Sequence, residues 1–283
     1  MKVHAIEVPY DSGEKGARMG RGPEHLARNG LVERLGDRGH ELRSEVVELE
    51  DGFPAEIETA FELDRLVAEQ VRDALKLGEF PLVLAGDCNV ASVGTVAGLG
   101  SEGLGVLWFD GHTDFDTPET TRHGSLDGMA LAIVTGRCWR RMSGSVPGFN
   151  PVAEGNVVHG GSRGLPEELE RLESSGVSVV GATLVRNVGM PEAVASALEA
   201  LWKRIHRVYV HLDLDVLDPD MVAPANGFTN PGGPSVEEAE EAVRMVRKRF
   251  DVAGIGVASY DPAYDRDDKV LRACLRFVEI LVG

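Results

Sequence analysis

The chain has 283 residues, of which 43% are hydrophobic and 27% are charged, a composition typical of a folded globular protein. Its 46 acidic and 29 basic residues give a formal net charge of −17, so its surface repels nucleic-acid phosphates and anionic lipids. The longest apolar stretches are much shorter than the roughly 20 residues of a membrane-spanning helix. We therefore expect a soluble protein that binds neither nucleic acid nor membranes.

Short β-branched segments alternate with helical patterns along the whole chain. The strand-like segments are, in order, VHAIEV, EVVELE, FPLVLAG, LGVLWFD, NVVHGG, VSVVGA, RVYVHLDLD and VAGIGVAS. The clearest helical pattern begins at Pro54, has apolar residues at three- and four-residue spacing, and ends at Gly78. Because parallel strands need crossover connections, this alternation predicts an α/β fold with three layers (α/β/α) and a parallel, roughly eight-stranded sheet. No linker or repeat interrupts the pattern, which favours a single domain over residues 1–283.

The segment from Gly98 to Gly103 matches the G-x-G-x-x-G pattern of dinucleotide-binding loops. Such a loop must follow a strand and begin a helix, because helix N–H groups bind the phosphates. Here the order is reversed, since the glycines follow a helical pattern and precede LGVLWFD. The segment is therefore predicted to be a helix-to-strand turn.

The cysteines are few and widely spaced. They are odd in number, which is unlike a disulfide framework, and comprise Cys88, Cys138 and Cys274. The first ten residues, MKVHAIEVPY, contain no apolar segment of the kind found in secretory signals. Both observations predict a location in the reducing cytoplasm.

Acidic residues cluster directly after two predicted strands. LGVLWFD ends at Asp110, which alternates with His112 and Asp114, and RVYVHLDLD ends with Asp213 and Asp215. Alternate residues of an extended segment point to one side, and the carboxyl ends of parallel strands form the ligand crevice of an open sheet. Each motif alone is equally consistent with a turn or a helix cap. Four carboxylates in one crevice repel one another unless cations neutralise them, so together they predict a metal site large enough for two bridged ions.

A third strand, FPLVLAG, leads to Asp87, Cys88 and Asn89 at the same edge of the predicted sheet. A buried and inert thiol is the common role of such a cysteine, but its position beside the acidic motifs makes Cys88 a candidate ligand. Carboxylates with one imidazole suit Mn²⁺, whereas a soft thiolate favours Fe²⁺, Co²⁺, Ni²⁺ or Zn²⁺. If the thiol stays protonated, the ion at that position is held loosely.

The segments EVPYDSGEKGARMGRGPEHLARNGLVERL, AGDC, DGHTDFDTPETT and HLDLDVLDPDMVAPANGFTNPGG resemble the arginase/agmatinase/formiminoglutamase (ureohydrolase) family in order and spacing. The resemblance is nearly full-length. It implies a binuclear metal-dependent hydrolase that cleaves a C–N bond of a small cationic guanidino or amidino compound by attack of a metal-bridging hydroxide. It also implies two divalent ions, Mn²⁺ being the usual metal, and a homo-oligomer, usually a trimer or hexamer.

The resemblance assigns roles to the predicted metal ligands. Asp110 and Asp213 resemble the bridging carboxylates, and His112 and Asp215 resemble ligands of one ion. Asp114 resembles a ligand of the other ion and a proton relay to the leaving nitrogen. Cys88 stands where the family supplies a histidine, which is the one departure among six positions.

Further departures concern the substrate. Asp127 stands at the position of the proton-shuttling histidine of arginases, with His123 four residues earlier. Asp261 stands where a glutamate pairs with the substrate guanidinium, and Leu165 replaces the acidic residue that receives the α-amino group, which argues against plain arginine. Asp116 and Ser125 align with polar substrate contacts. Because imidazole titrates near pH 6.5 and an unperturbed aspartate near 3.9, His123 is predicted to transfer the proton and Asp127 to bind a cationic substrate.

Three hypotheses follow from the sequence. The first is a binuclear hydrolase of a linear guanidino or amidino compound, arginine or another, and the second is the same scaffold with one tightly bound ion and a formimino or hydroxyguanidino substrate. The third is a catalytically inactive family member that acts as a binding or assembly module. Four retained aspartates argue against the third hypothesis, whereas the two missing histidines argue for it.

Overall fold

Eight parallel strands form the central sheet of the computed structural model, which describes residues 1–49 and 55–283. The strands are β1 (Lys2–Val8), β2 (Glu41–Val46), β3 (Phe80–Ala85), β4 (Leu104–Phe109), β5 (Val157–Gly160), β6 (Ser178–Val180), β7 (Arg207–Asp213) and β8 (Asp251–Ala258). Their spatial order is β2-β1-β3-β8-β7-β4-β5-β6, so β8 lies in the middle of the sheet. The predicted α/β fold with a parallel eight-stranded sheet is confirmed.

Helices cover both faces of the sheet, because every crossover between parallel strands carries the chain across one face. They are α1 (Gly22–Leu26), α2 (Val32–Asp37), α3 (Glu56–Lys76), α4 (Cys88–Leu99), α5 (Ala130–Val134), α6 (Arg140–Ser143), α7 (Pro166–Glu173), α8 (Ala182–Val188), α9 (Met190–Trp202), α10 (Val236–Arg249) and α11 (Lys269–Val282). No helix within the described ranges is long and apolar enough to cross a lipid bilayer.

Side chains of the central strands alternate between two hydrophobic cores. In β4, Leu107 and Phe109 belong to the core that contains residues of α9, α10 and α11, whereas Val106 and Trp108 belong to the core with α3, α4 and α5. All six residues of β4 are buried. A strand buried on both faces reads as a continuous apolar run, which explains why its sequence shows no polar alternation.

The close packing of α4 against α3 explains why glycine occurs at Gly98, in the segment that matches the dinucleotide-binding pattern. A Cβ atom at Gly98 would lie 2.5 Å from the Cβ atom of Val71, so only glycine permits this approach of the two helices. The helix then ends at Leu99, where Gly100 has a φ of +77°, and β4 begins at Leu104. The predicted helix-to-strand turn is confirmed.

Two local details differ from the predicted elements. The second strand lies earlier than EVVELE, because Glu41–Val46 pairs in parallel register with β1, and Glu50 lies outside the described residues. The predicted start of α3 at Pro54 also lies outside them. A short antiparallel hairpin, unpredicted, joins Tyr10–Asp11 to Glu14–Lys15 through Ser12 and Gly13, both of which have positive φ.

Candidate metal centre

The carboxyl ends of the central strands bring the predicted ligands together. Cys88 is the first residue of α4, three residues after β3, Asp110 follows β4 directly, and Asp213 is the last residue of β7. The four aspartates are almost completely buried, with exposed fractions between 0% and 5%, and comprise Asp110, Asp114, Asp213 and Asp215. Burying four carboxylates side by side is unfavourable unless cations or protons neutralise them.

The predicted ligands and Asp127 form three overlapping groups of three side chains, and within each group the ligand atoms lie within 4.8 Å of one another. Two residues, Cys88 and Asp110, each belong to two groups, so the groups form one continuous cluster. The cluster contains all six predicted ligands together with Asp127. The groups are Cys88, Asp114 and Asp127; Cys88, Asp110 and Asp213; and Asp110, His112 and Asp215.

One end of the cluster is an ion-paired group around His112. Its Nδ1 lies 3.1 Å from Asp215 Oδ2, and its backbone N–H donates to Asp110 Oδ1 at 2.6 Å. Burial is the largest single influence and raises the pKa of Asp215, but the charge and hydrogen bond of His112, together with the charge of Arg163, outweigh it and hold that pKa well below its usual range. The carboxylates raise the pKa of His112 well above 6.5, with Asp215 the main cause. This group is a charged pair that a metal ion would enter by displacing the imidazole proton.

The other end of the cluster is less well satisfied. The Cys88 thiol donates to Asp213 Oδ2 at 3.0 Å, and Ser259 Oγ donates to the same oxygen at 2.5 Å. Burial raises the pKa of the Cys88 thiol well above its usual value, so without a metal the thiol keeps its proton. Asp114 has a strained φ of +48°, and its buried Oδ2 has no hydrogen-bond partner among the described residues. An orphaned carboxylate oxygen beside a thiol and further carboxylates fits a divalent cation.

Neighbouring residues orient the carboxylates. Trp108 Nε1 donates to Asp110 Oδ2 at 2.8 Å, and Asn226 Nδ2 donates to Asp215 Oδ2 at 3.3 Å and to the Ser259 carbonyl at 2.8 Å. Sequence reasoning missed both roles. Asn226 lies in the segment HLDLDVLDPDMVAPANGFTNPGG, but its distance along the chain from Asp215 does not indicate that its amide contacts that aspartate.

Sequence reasoning also missed Arg163, which is buried behind the His112 end. Its guanidinium donates to five backbone carbonyls, among them those of Asp215 at 2.6 Å and Asn230 at 2.9 Å. A Cβ atom at Gly111 or Gly233 would lie within about 3.1 Å of this guanidinium. Arg163 therefore fixes the loop that carries Asp215, and these two glycines make room for it.

The two predicted proton carriers lie in different surroundings. Asp127 Oδ1 accepts from the Cys88 N–H at 2.7 Å, at the beginning of α4, and burial raises the pKa of Asp127 to about 6. His123 is exposed, its backbone N–H donates to Thr121 Oγ1, and it belongs to none of the three groups. The geometry thus places Asp127, rather than the predicted His123, beside the ligands, since an exposed imidazole in a surface turn is not held against them.

The predicted substrate contacts are engaged with protein groups. Asp116 pairs with Arg171, and Ser125 Oγ lies 3.5 Å from Glu56 Oε1. Asp261 is 4% exposed, and both its oxygens accept from Arg21 Nη2, at 2.9 and 3.1 Å. The carboxylate predicted to bind a substrate guanidinium therefore binds a guanidinium of the chain itself.

The fold and the cluster together define a class of protein. Overlapping carboxylate, imidazole and thiol ligands at the carboxyl edge of a parallel sheet fit two divalent ions that share ligands, and such centres activate water for hydrolysis. The molecule thus has the features of a binuclear metal-dependent α/β hydrolase.

Comparison with known proteins specifies the family. The family model "Arginase family" matches residues 1–282, and the chain therefore belongs to the arginase family. It is 29% identical to the arginase of Bacillus subtilis over 99% of this chain and 97% of the relative, and 31% identical to that of Brevibacillus brevis over 98% and 96%. A crystal structure of the B. subtilis arginase superposes with a TM-score of 0.90 at 27% identity, covering 100% of this chain and 99% of that one. The protein is a hydrolase that acts on C–N bonds in linear amidines.

Proposed function

We propose that this protein hydrolyses the guanidino or amidino C–N bond of a linear substrate other than arginine, with Mn²⁺ as the preferred metal. The observation that carries the proposal is the continuous cluster of ligand groups, in which Asp110 and Cys88 each belong to two groups. Side chains shared in this way suit two neighbouring ions. Five of the six ligands are hard oxygen or imidazole donors, which favours Mn²⁺.

The proposed ligand sets follow the two ends of the cluster. His112 and Asp215 would hold one ion, Asp114 and Cys88 the other, and the bridging carboxylates would be Asp110 and Asp213. When bound, two such ions supply a water acidic enough to act as a nucleophile near neutral pH. Asp213 is suited to bridging because its Oδ1 accepts from Asp215 N at 2.8 Å while its Oδ2 faces Cys88 at 3.0 Å.

Proton transfer is assigned to Asp114 and Asp127. Asp114, a proposed ligand at the Cys88 end, would relay a proton through its carboxylate to the departing nitrogen. Asp127, whose pKa is raised to about 6, would carry to solvent the other proton, which water loses when it becomes the nucleophile. This assignment replaces His123, and it rests on the position of Asp127 in one group with Cys88 and Asp114.

The leucine at position 165 supports the proposal that the substrate is not arginine. The resemblance places an acidic residue for the substrate α-amino group at this position, whereas the Leu165 side chain is apolar and 40% exposed. The nearby acidic residues are engaged, since Glu167 pairs with Arg122 and Glu168 Oε2 accepts from the Leu165 N–H at 3.2 Å. The α-ammonium group of arginine would thus lack its ionic partner.

A cytoplasmic location and a homo-oligomeric assembly, trimer or hexamer, are also part of the proposal. The three cysteines are buried free thiols, which suits a reducing compartment. Assembly is implied by the resemblance alone and is measured directly by light scattering of the purified protein.

Metal analysis followed by turnover assays tests the proposal. Purified protein is stripped with a chelator and reloaded separately with Mn²⁺, Fe²⁺, Co²⁺, Ni²⁺ or Zn²⁺. Release of urea or ammonia is then measured from arginine and from a series of ω-guanidino and ω-amidino compounds. We expect two ions per chain with Mn²⁺ and turnover of a compound that lacks the α-ammonium group. Absence of product from every compound with every metal would contradict the proposal.

A further inference from the structure

The Arg21–Asp261 pair occupies the carboxylate that the family resemblance assigns to the substrate. Arg21 Nη2 donates to both oxygens of Asp261, and Oδ1 also accepts from the Ala263 N–H at 3.0 Å. The Asp261 N–H donates to the Ala225 carbonyl at 2.8 Å, one residue before the Asn226 that contacts Asp215. The pair is thereby fixed to the loop that borders the metal cluster.

Backbone packing places Arg21 against this segment. A Cβ atom at Gly22 would lie only 2.3 Å from the Tyr260 carbonyl oxygen, so the chain after Arg21 passes Tyr260 at a distance that only glycine permits. The arginine side chain itself is half-exposed, with 52% of its surface accessible, and its Nε donates to the Arg18 carbonyl at 3.2 Å. The backbone of Arg21 is therefore fixed, whereas its guanidinium lies at the protein surface.

A cavity gives the guanidinium space to move. It has a volume of about 370 Å³ and is lined by Arg21, Glu24, His25, Arg28, Asn29 and Pro262. Pro262 follows Asp261 directly, so the cavity borders the ion pair. Because Arg21 itself lines this cavity, rotation of its side chain away from Asp261 has space and would leave Asp261 available to another cation.

We propose that Arg21 is a specificity-determining residue that selects ω-guanidino carboxylates as substrates. The substrate guanidinium displaces Arg21 from Asp261, and the displaced Arg21 pairs with the carboxylate at the other end of the substrate. This inference rests on the proposed function and names its substrate class.

The number of ion pairs broken and formed on binding distinguishes guanidino carboxylates from guanidino amines and from arginine. With a guanidino carboxylate, one ion pair is broken and two are formed, since both Asp261 and Arg21 regain a partner. With a guanidino amine, Arg21 is left unpaired near a second cation, which opposes binding. Arginine carries a carboxylate, but its α-ammonium lacks an acidic partner where Leu165 stands. The combination selects a substrate with a guanidinium, a carboxylate and no α-ammonium.

Two probes of equal chain length test the proposal, 4-guanidinobutanoate and 4-guanidinobutylamine. With the metal-loaded enzyme we expect kcat/KM to be at least tenfold higher for the acid. Arg21→Met should lower KM for the amine at least tenfold, because Asp261 is then free and no unpaired guanidinium opposes the second cation. KM for the acid and both kcat values should change by less than about threefold, since the lost carboxylate partner is offset by the free Asp261. Arg21→Lys should retain the preference in part. An unchanged ratio of the two kcat/KM values in Arg21→Met, with its melting temperature preserved, would overturn the proposal.

Binding of methylguanidinium tests the inference independently of turnover. Calorimetry with the metal-loaded protein should show at least tenfold tighter binding to Arg21→Met than to wild type, because Asp261 is then free. The double variant Arg21→Met/Asp261→Asn should lose this gain. Equal affinity of wild type and Arg21→Met would refute the role of Arg21 even if turnover is never observed, whereas tighter binding without turnover would leave the inference standing and contradict the proposed hydrolysis.

Discussion

The two ends of the metal cluster differ in how far the protein alone satisfies their charges. At the His112 end, an imidazolium pairs with Asp215, and Asp215 also accepts from Gly111 N at 3.2 Å and from Asn226. At the Cys88 end, a protonated thiol faces Asp213, and the buried Oδ2 of Asp114 has no partner within the described ranges. At the His112 end, protein groups already neutralise the carboxylates, and Arg163 holds the loop that carries Asp215. At the Cys88 end, the charge of the carboxylates is left for the metal to neutralise. We therefore expect the two ions to bind with unequal affinity.

The largest effect is expected from Asp213→Asn, because Asp213 is shared by both ends. Removing its charge should lower kcat by about 10³-fold or more, comparable with the loss of a main electrostatic group in an active site. It should also abolish the rise in melting temperature on adding metal, which corresponds to about 2.7 kcal/mol at a hundredfold excess over Kd. Differential scanning fluorimetry with and without Mn²⁺ checks this. An undiminished metal-induced shift in the variant would show that Asp213 is not a ligand.

The second prediction compares Asp127→Asn with His123→Ala. Asp127 contacts the Cys88 end, so its loss should lower kcat by about 10²-fold, within the usual range for general acid–base groups, and remove the limb of the pH–rate profile near pH 6. His123→Ala should leave both unchanged, because the side chain is exposed. The measurement is kcat between pH 5 and 9. The reverse result would restore His123 as the proton carrier.

A third, smaller effect is expected from Cys88→His. A neutral imidazole suits Mn²⁺ better than a thiol, so the weaker ion should bind about tenfold more tightly while the ion at the His112 end is unaffected. Cys274→Ser, at a buried thiol in α11 outside the three groups, is the matched control. Calorimetric titration of the metal-free forms with Mn²⁺ resolves the two affinities. Identical stoichiometry and affinity in wild type and Cys88→His would mean that Cys88 only packs beside the site.

The smallest effect concerns the sheet behind the cluster, where His159 and His211 flank Trp108 in register. Burial lowers the pKa of each histidine to about 3, so both are neutral when folded and take up protons on unfolding below pH 6.5. Each should therefore remove about 1.4 kcal/mol of stability per pH unit between pH 6.5 and 3. His159→Phe should reduce the acid loss of stability by the contribution of one proton, because the variant lacks the imidazole. No hydrogen bond is lost with it, since neither ring nitrogen of His159 has a partner in the described part of the chain.

His211→Phe is the informative companion variant. It should flatten the acid loss equally but destabilise the protein at pH 8 by about 1 kcal/mol, since His211 Nδ1 lies 2.9 Å from the Tyr209 hydroxyl. Urea unfolding at pH 8 and pH 5 measures both effects. A steep acid loss that persists in both variants would assign it to the carboxylate cluster instead.

The sequence predicts the eight-stranded fold because strand and helix alternate with clear periodicity, and the placement of acidic motifs after strands predicts where ligands converge. It does not predict which partner each side chain finds. Reference pKa values favoured His123 over Asp127, but Asp127 lies beside the ligands at the start of α4, where burial raises its pKa to about 6. Likewise, nothing in the spacing of Arg21 and Asp261, 240 residues apart, indicates that they pair. Such contacts depend on loop paths, which hydrophobic patterns do not specify.

The position of β8 has a consequence for how the molecule is made. This strand lies between β3 and β7, so during synthesis the sheet remains as two separate halves, each with an unpaired edge, until residues 251–258 leave the ribosome. The Cys88 thiol follows β3 and the Asp213 carboxylate ends β7, so the two groups belong to different halves, and both also contact Ser259, directly after β8. The Cys88 end of the metal cluster therefore cannot form before the last strand is inserted, whereas Asp110, His112 and Asp215 all follow strands of a single half. Open strand edges invite association with other chains in the meantime, so chaperone dependence should end at β8 insertion.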